Sequence, residues 1–144
     1  LLKELDNTIE IIFNKDSDKI LIDSDKEQIS RVFLNLIKNS IESIYQKAQN
    51  NNNFNKKITI ELTEGDSHIK ITIEDNGVGF NELKNNIKDI LNPYFTTKKN
   101  GTGLGLSIVN KIISDHNGKI DFIPINNGAK INIIFFKQKW VKKF

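Results

Sequence analysis

Two hydrophobic periods alternate along this chain. Residues 9–13 (Ile-Glu-Ile-Ile-Phe) and 19–22 (Lys-Ile-Leu-Ile) are short β-branched runs around a polar Asn-Lys-Asp-Ser-Asp stretch, which predicts a hairpin. A helical period follows. Asp25-Lys26-Glu27-Gln28 has the form of a capping box, with Asp25 as the acceptor and Gln28 as the reciprocal group. Behind it, Ile29, Val32, Phe33, Leu36, Ile37, Ser40, Ile41 and Ile44 recur at three- and four-residue intervals and define one apolar helix face. That helix is expected to fray in the polar stretch Gln49–Asn53.

The two-residue period then returns. Residues 58–62 and 69–74 alternate apolar and polar positions across Glu64-Gly65-Asp66-Ser67, predicting a second hairpin whose far strand runs into Asp75. Residues 81–100 are polar with weak periodicity, and the expectation there is a short helix over 82–91 and a mobile segment after Asn92-Pro93. Ser107–His116 reads as a second amphipathic helix stopped by Asn117-Gly118 in a left-handed cap. A closing hairpin, 119–123 and 130–136, turns at Asn126-Asn127-Gly128. Together these predict an α/β fold, a two-layer sandwich with one mixed, mostly antiparallel sheet under about three helices.

At 144 residues the chain is one domain in length, enough to bury roughly two-thirds of its unfolded surface. Its 38% hydrophobic and 27% charged residues are ordinary for a globular protein, and no apolar run approaches a membrane span. No basic-then-apolar leader opens it. With no cysteine, disulfides, thiol nucleophiles and Cys-based zinc sites are excluded. The net charge of +3 is more than accounted for by Lys137, Lys139, Lys142 and Lys143 at the extreme C-terminus. That basic tail is not the stripe that a nucleic-acid surface requires, so no nucleic-acid partner is expected.

Three groups of residues carry chemistry. Asn35, Asn39 and Glu42 share one stripe of the long helix, expected roughly opposite the apolar face; carboxamide oxygens there suit a hard cation such as magnesium that already carries phosphate. At Asp75-Asn76-Gly77-Val78-Gly79 a buried strand-end carboxylate can accept a hydrogen bond from an exocyclic amine, with glycines leaving space for a ring. About 25 residues on, Gly101-Thr102-Gly103-Leu104-Gly105-Leu106 opens a helix and offers backbone N–H groups to phosphates. Its GxGxG spacing fits neither the dinucleotide fingerprint nor a Walker P-loop. Between the glycine clusters, Asn92-Pro93-Tyr94-Phe95-Thr96-Thr97-Lys98-Lys99 suits a lid, with Phe95 as anchor and Lys98 or Lys99 reaching phosphate. His68 and His116 have no paired acid or nucleophile in sequence and read as surface residues.

This ordered set resembles the catalytic, ATP-binding domain of bacterial sensor histidine kinases, in the GHKL superfamily shared with gyrase B and with mismatch-repair and heat-shock chaperone ATPases. Asn35–Asn39 resembles the N box, Asp75–Gly79 the first glycine box, Pro93–Lys98 the F box and Gly101–Leu106 the second glycine box. Pro-Tyr-Phe-Thr-Thr-Lys closely followed by Gly-Thr-Gly-Leu-Gly-Leu is similar to the nitrogen-regulation type. The resemblance spans about residues 19–135 and implies ATP and Mg2+ as ligands. It implies that Asn39 holds the metal, Asn35 assists at the phosphates and Asp75 takes the adenine amine. Gly77 and Gly79 would flank the base. Phe95, Thr96, Thr97 and Lys98 would belong to the lid, and Gly101, Thr102, Gly103, Leu104, Gly105 and Leu106 to the triphosphate cradle.

Asn35 also stands where the hydrolysing relatives use a Glu base. The resemblance therefore implies slow hydrolysis and a γ-phosphoryl group kept for a protein acceptor. Glu42 stands where many members carry Lys or Arg, so the phosphate-neutralising cation would come from Arg31, Lys38, Lys98 or Lys99. Neither His68 nor His116 lies in the family's His-Glu/Asp acceptor context. The expectation is a single catalytic domain over 1–144, with 1–8 left from a preceding dimerisation domain and 137–144 a basic tail. It would phosphorylate a histidine on that separate domain for relay to a response regulator, in a full-length homodimer anchored at the inner membrane with this domain cytoplasmic. Alone it would not autophosphorylate. An anti-sigma-type Ser/Thr kinase and binding module is the alternative, and a hydrolysing ATPase switch a third reading.

Overall fold

A computed structural model of the chain describes residues 8–80, 87–96 and 101–137. The elements run β1 (Glu10–Lys15), α1 (Lys26–Asn50), β2 (Lys57–Glu64), β3 (His68–Asp75), a 3-10 turn (Ile87–Leu91), α2 (Gly105–Asp115), β4 (Gly118–Ile125) and β5 (Gly128–Phe136). Five strands form one sheet in the order β1-β2-β3-β5-β4, antiparallel except for the parallel pair β1–β2. Helices cover one face, so the expected two-layer α/β sandwich is what forms. The three helices expected resolve into two α-helices and one 3-10 turn among the described residues, with 82–86 outside them.

The first hairpin does not exist. Residues 19–22 are not a strand, and β1 pairs with β2, Ile11 beside Ile58 and Phe13 beside Ile60. A parallel pair needs a long crossover, and α1 supplies it. Residues 19–22 keep a strand-like in-out pattern without a strand partner. Ile20 and Ile22 pack against the core while Leu21 faces solvent.

The long helix begins where its cap predicts. Asp25 Oδ1 accepts from the backbone N–H groups of Glu27 and Gln28, at 2.9 and 3.1 Å. The reciprocal arm of the capping box is replaced, because the Asp25 N–H donates to His116 Nε2 at 3.0 Å. His116 thus joins the start of α1 to the end of α2, and is half-buried rather than an idle surface residue. Val32, Leu36, Ser40 and Ile44 form the buried line of α1. They meet Val109, Ile112 and Ile113 of α2 and the inward row Ile58, Ile69, Ile71, Ile73, Ile131, Ile133 and Phe135 of the sheet. α2 ends as expected, with Asn117 in the left-handed region at φ 56°.

Candidate functional site

The strand register decides where Asp75 sits. Inward positions of β3 run Ile69, Ile71, Ile73 and then Asp75, so the pleat that buries three isoleucines buries the carboxylate too. Asp75 is 4% exposed, and beneath it on α1 lies Ser40, 2% exposed. Burial pushes the Asp75 carboxyl above its ordinary range. Donors from the Gly77 N–H, the Ser40 hydroxyl, the Ala129 N–H and the Ser43 hydroxyl pull the other way. The Gly77 bond is 2.9 Å. A buried acceptor at the open end of a strand is what an amine donor on a planar ring requires.

The glycines after Asp75 serve the protein before any ligand. A Cβ on Gly77 would run into Ser43 and the backbone N of Ile44, so Gly77 is where the turn presses against α1. The Val78 N–H bonds to the Ser43 carbonyl at 3.3 Å, and the Gly79 N–H to Ser43 Oγ at 3.4 Å. Phe80 then sets its ring edge-on to Phe122 of β4, centroids 5.8 Å apart. Asn76 clamps the other side. Its Oδ1 accepts from the Lys57 N–H at 2.9 Å, its Nδ2 donates to the Asn55 carbonyl, and its own carbonyl accepts from Lys47 Nζ at 2.8 Å. Ser40, Ser43 and Phe80 carry no site expectation from the sequence. A serine interrupting an apolar helix line was the one available signal.

Asn35 and Asn39 do not lie opposite the apolar face of α1. Each immediately precedes a buried residue, Leu36 and Ser40, and so sits about 100° round the helix from it, half-buried. This turn of the stripe brings Asn35 to the start of α2, where a Cβ on Gly105 would stand 2.8 Å from Asn35 Oδ1. The second glycine cluster runs into the helix, since Gly105 and Leu106 are its first residues and Leu106 packs against the core. The N-cap residue of α2, Leu104, makes no side-chain cap hydrogen bond, and no acid lies in the first turn. Its N–H groups and helix dipole face the Asn35 side of the site, an arrangement that attracts anions.

Gly101 and Thr102 are exposed, and Thr102 Oγ1 accepts from the Leu104 N–H at 3.4 Å. Gly103 lies against the Tyr94 backbone, so the two ends of the intervening segment meet there. Phe95 is half-buried, its N–H bonded to the Asn92 carbonyl, and Thr96 is exposed. Thr97, Lys98 and Lys99 lie outside the described residues, as does most of the C-terminal basic tail. Among the described residues no cluster of three or more His, Asp or Glu is placed to hold a metal. The oxygen donors near the cradle are the carboxamides of Asn35 and Asn39, a sparse neutral set that suits a magnesium ion held chiefly by phosphates.

Residues 24–139 match the family described as histidine kinase-, DNA gyrase B- and HSP90-like ATPases. The chain belongs to this family. It is 37% identical over 134 residues to sporulation kinase A of Bacillus subtilis (strain 168), covering 92% of this chain and 20% of that protein. To the sensory histidine kinase/phosphatase NtrB of Azospirillum brasilense it is 35% identical over 123 residues, covering 78% of this chain and 30% of NtrB. The chain therefore spans less than a third of the length of either relative. The catalytic domain of histidine kinase ThkA superposes with a TM-score of 0.74 at 32% identity, covering 90% of this chain and 80% of that one. ThkA in complex with the response regulator TrrA matches with a TM-score of 0.67 at 28% identity, covering 90% of this chain and 34% of that one. Among the described residues no helix is long and apolar enough to cross a membrane.

Proposed function

We propose that this chain binds ATP with magnesium and donates the γ-phosphoryl group to a histidine on a separate dimerisation domain of a sensor kinase. The carrying observation is the pairing of two unlike sites on α1. Asp75 is buried over Ser40 and Ser43, and Asn35 stands beside Gly105 at the start of α2, whose N-cap Leu104 makes no side-chain cap hydrogen bond. An adenine amine suits the first and a triphosphate the second.

Asp75 accepts from the 6-amino group, which selects adenine over a 6-keto base. Gly77 and Gly79 shape the turn beside the ring. The N–H groups opening α2, with Gly101, Thr102, Gly103 and Leu104 before them, hold phosphate oxygens. Asn39 would hold magnesium and Asn35 would orient the phosphates, the ion when bound supplying charge neutralisation there. Phe95 and Thr96 would contribute to nucleotide binding, together with Thr97 and Lys98, which lie outside the described residues. Because the Asn35 carboxamide takes no proton from water, the site protects ATP from hydrolysis and keeps it for transfer. The phosphoryl then passes to a response-regulator aspartate, in a homodimeric full-length kinase. ATP is cytoplasmic, so this domain works on that side of the membrane, whatever anchors the longer chain.

Mixing the chain with Mg-ATP and a histidine-bearing dimerisation domain tests the reading. The expected product is acid-labile, base-stable phosphate on that domain, with none on the chain alone. Acid-stable phosphate on Ser or Thr, as an anti-sigma-type kinase would give, or hydrolysis of many ATP per minute by the isolated chain would overturn it.

A further inference from the structure

The turn that carries Asp75 is fixed along one stripe of α1. Ser40, Ser43 and Lys47 stand at i, i+3 and i+7, so they share a face of the helix. Ser40 and Ser43 direct hydroxyls at the Asp75 carboxylate, and Ser43 also holds the Val78 and Gly79 N–H groups. Lys47 acts one residue away from the carboxylate, donating from Nζ to the Asn76 carbonyl at 2.8 Å.

Asn76 is where β3 leaves the sheet, and each of its polar atoms is engaged. Its N–H donates to the Lys57 carbonyl at 3.3 Å. Its Oδ1 accepts from the Lys57 N–H at 2.9 Å, the place that the main-chain carbonyl holds in a continuing antiparallel ladder. Nδ2 donates to the Asn55 carbonyl. The side chain thus replaces the main chain in the ladder, and the freed carbonyl turns toward Lys47. That ammonium is braced in turn, 4.7 Å from the centroid of the Phe54 ring, which packs against the core. The direction in which the chain leaves β3 sets the Gly77 N–H, and the Gly77 N–H holds Asp75 Oδ1 at 2.9 Å. A hydrogen bond from a planar amine weakens steeply when its acceptor swings off line.

We infer that Lys47 and Asn76 are positioning residues for base selectivity: they fix the angle of Asp75 so that it accepts from a 6-amino purine and rejects a 6-keto one. This rests on the adenine role proposed for Asp75 and adds what makes that role selective. The Asn76 side-chain bonds to Lys57 and Asn55 are exposed, so water replaces them when the side chain is removed. The fold then loses little while the angle of the carboxylate is freed.

The test separates positioning from stability. Asn76→Ala, Lys47→Met and Lys47→Arg are compared with the wild type by calorimetric titration with Mg-ATP and with Mg-inosine triphosphate, which has the same sugar and phosphates but a 6-keto group. Affinity for inosine triphosphate reports an intact fold and phosphate site, and is expected to stay within about twofold throughout. The wild type is expected to prefer ATP by about tenfold or more, the size of one charged hydrogen bond. That preference should shrink to about threefold or less in Asn76→Ala, and by a factor of about three in Lys47→Met, which keeps the stem over Phe54 without the ammonium. Lys47→Arg still donates to a carbonyl and should retain it. An unchanged ratio in both Asn76→Ala and Lys47→Met, even with both nucleotides bound more weakly, overturns the positioning role and leaves the adenine reading standing. If Asn76→Ala does not fold, the ratio in Lys47→Met decides alone. A wild type that binds the two nucleotides alike overturns the adenine reading itself, and this inference with it.

Discussion

Asp75→Asn separates the two roles of the buried carboxylate. In the wild type, ionised Asp75 offers a charged acceptor to an amine, a hydrogen bond contributing about 1.5–3 kcal/mol. The amide substitution removes the charge and turns one acceptor into a donor. With Gly77, Ala129, Ser40 and Ser43 all directing donors at this position, the remaining oxygen is drawn inward. Adenine then faces NH2 against NH2. Losing the charged bond alone weakens ATP binding by about 10- to 150-fold, at 1.4 kcal/mol per tenfold.

The pH dependence carries an independent signature with a defined sign. Burial raises the folded pKa of Asp75 above its unfolded value. Between the two values the folded state holds the proton that the unfolded state has released, so this group's contribution to stability falls as pH rises through that window. Below the window the neutral carboxyl carries no such penalty. Affinity for ATP runs the opposite way, since protonation removes the charged acceptor. Calorimetry of ATP binding and urea melts from the unfolded Asp value up to neutral pH read both trends. The variant should lose this stability slope along with the affinity. Equal ATP affinity for the two proteins, or an identical slope of stability against pH, would refute the role given to Asp75.

Three further outcomes are expected. Gly105→Ala should leave the melting midpoint nearly unchanged, because alanine favours the helix by about 1 kcal/mol while its Cβ displaces Asn35; nucleotide affinity, read by fluorescence titration, should fall about tenfold. Gly77→Ala drives a methyl group into Ser43 and Ile44 and should cost about 1–3 kcal/mol of stability in a denaturant melt, with ATP binding weakened in parallel. His116→Ala removes the acceptor for the Asp25 N–H and should cost about 0.5–1.5 kcal/mol, with ATP affinity measured at saturating folded protein unchanged.

Local signals in the sequence were read where one segment contains its own answer. Asp25 caps its own helix, Asn117 adopts the left-handed geometry that ends α2, and β2–β3 and β4–β5 pair across short turns. Partner choice was not legible. Residues 10–15 and 19–22 have the same alternating composition, yet the first pairs with β2 across α1 and the second packs on the core without a strand partner. The Asn stripe was visible, but its facing depends on where α2 lies. Ser40 looked like a small residue within an apolar line, because its partner carboxylate is 35 positions away in sequence.

Asp75 and Ala129 face each other in the register that joins β3 to β5. β2–β3 and β4–β5 are hairpins of nearby residues, whereas β3 meets β5 across more than fifty residues of chain. The carboxylate therefore sits on the seam between two locally assembled halves. A partly folded chain with both hairpins formed but the seam open lacks the site proposed for adenine. If that non-local closure comes late in folding, bound nucleotide is expected to slow unfolding more than it speeds folding. A nucleotide seated at Asp75 would then hold closed the seam that joins the two halves of the sheet.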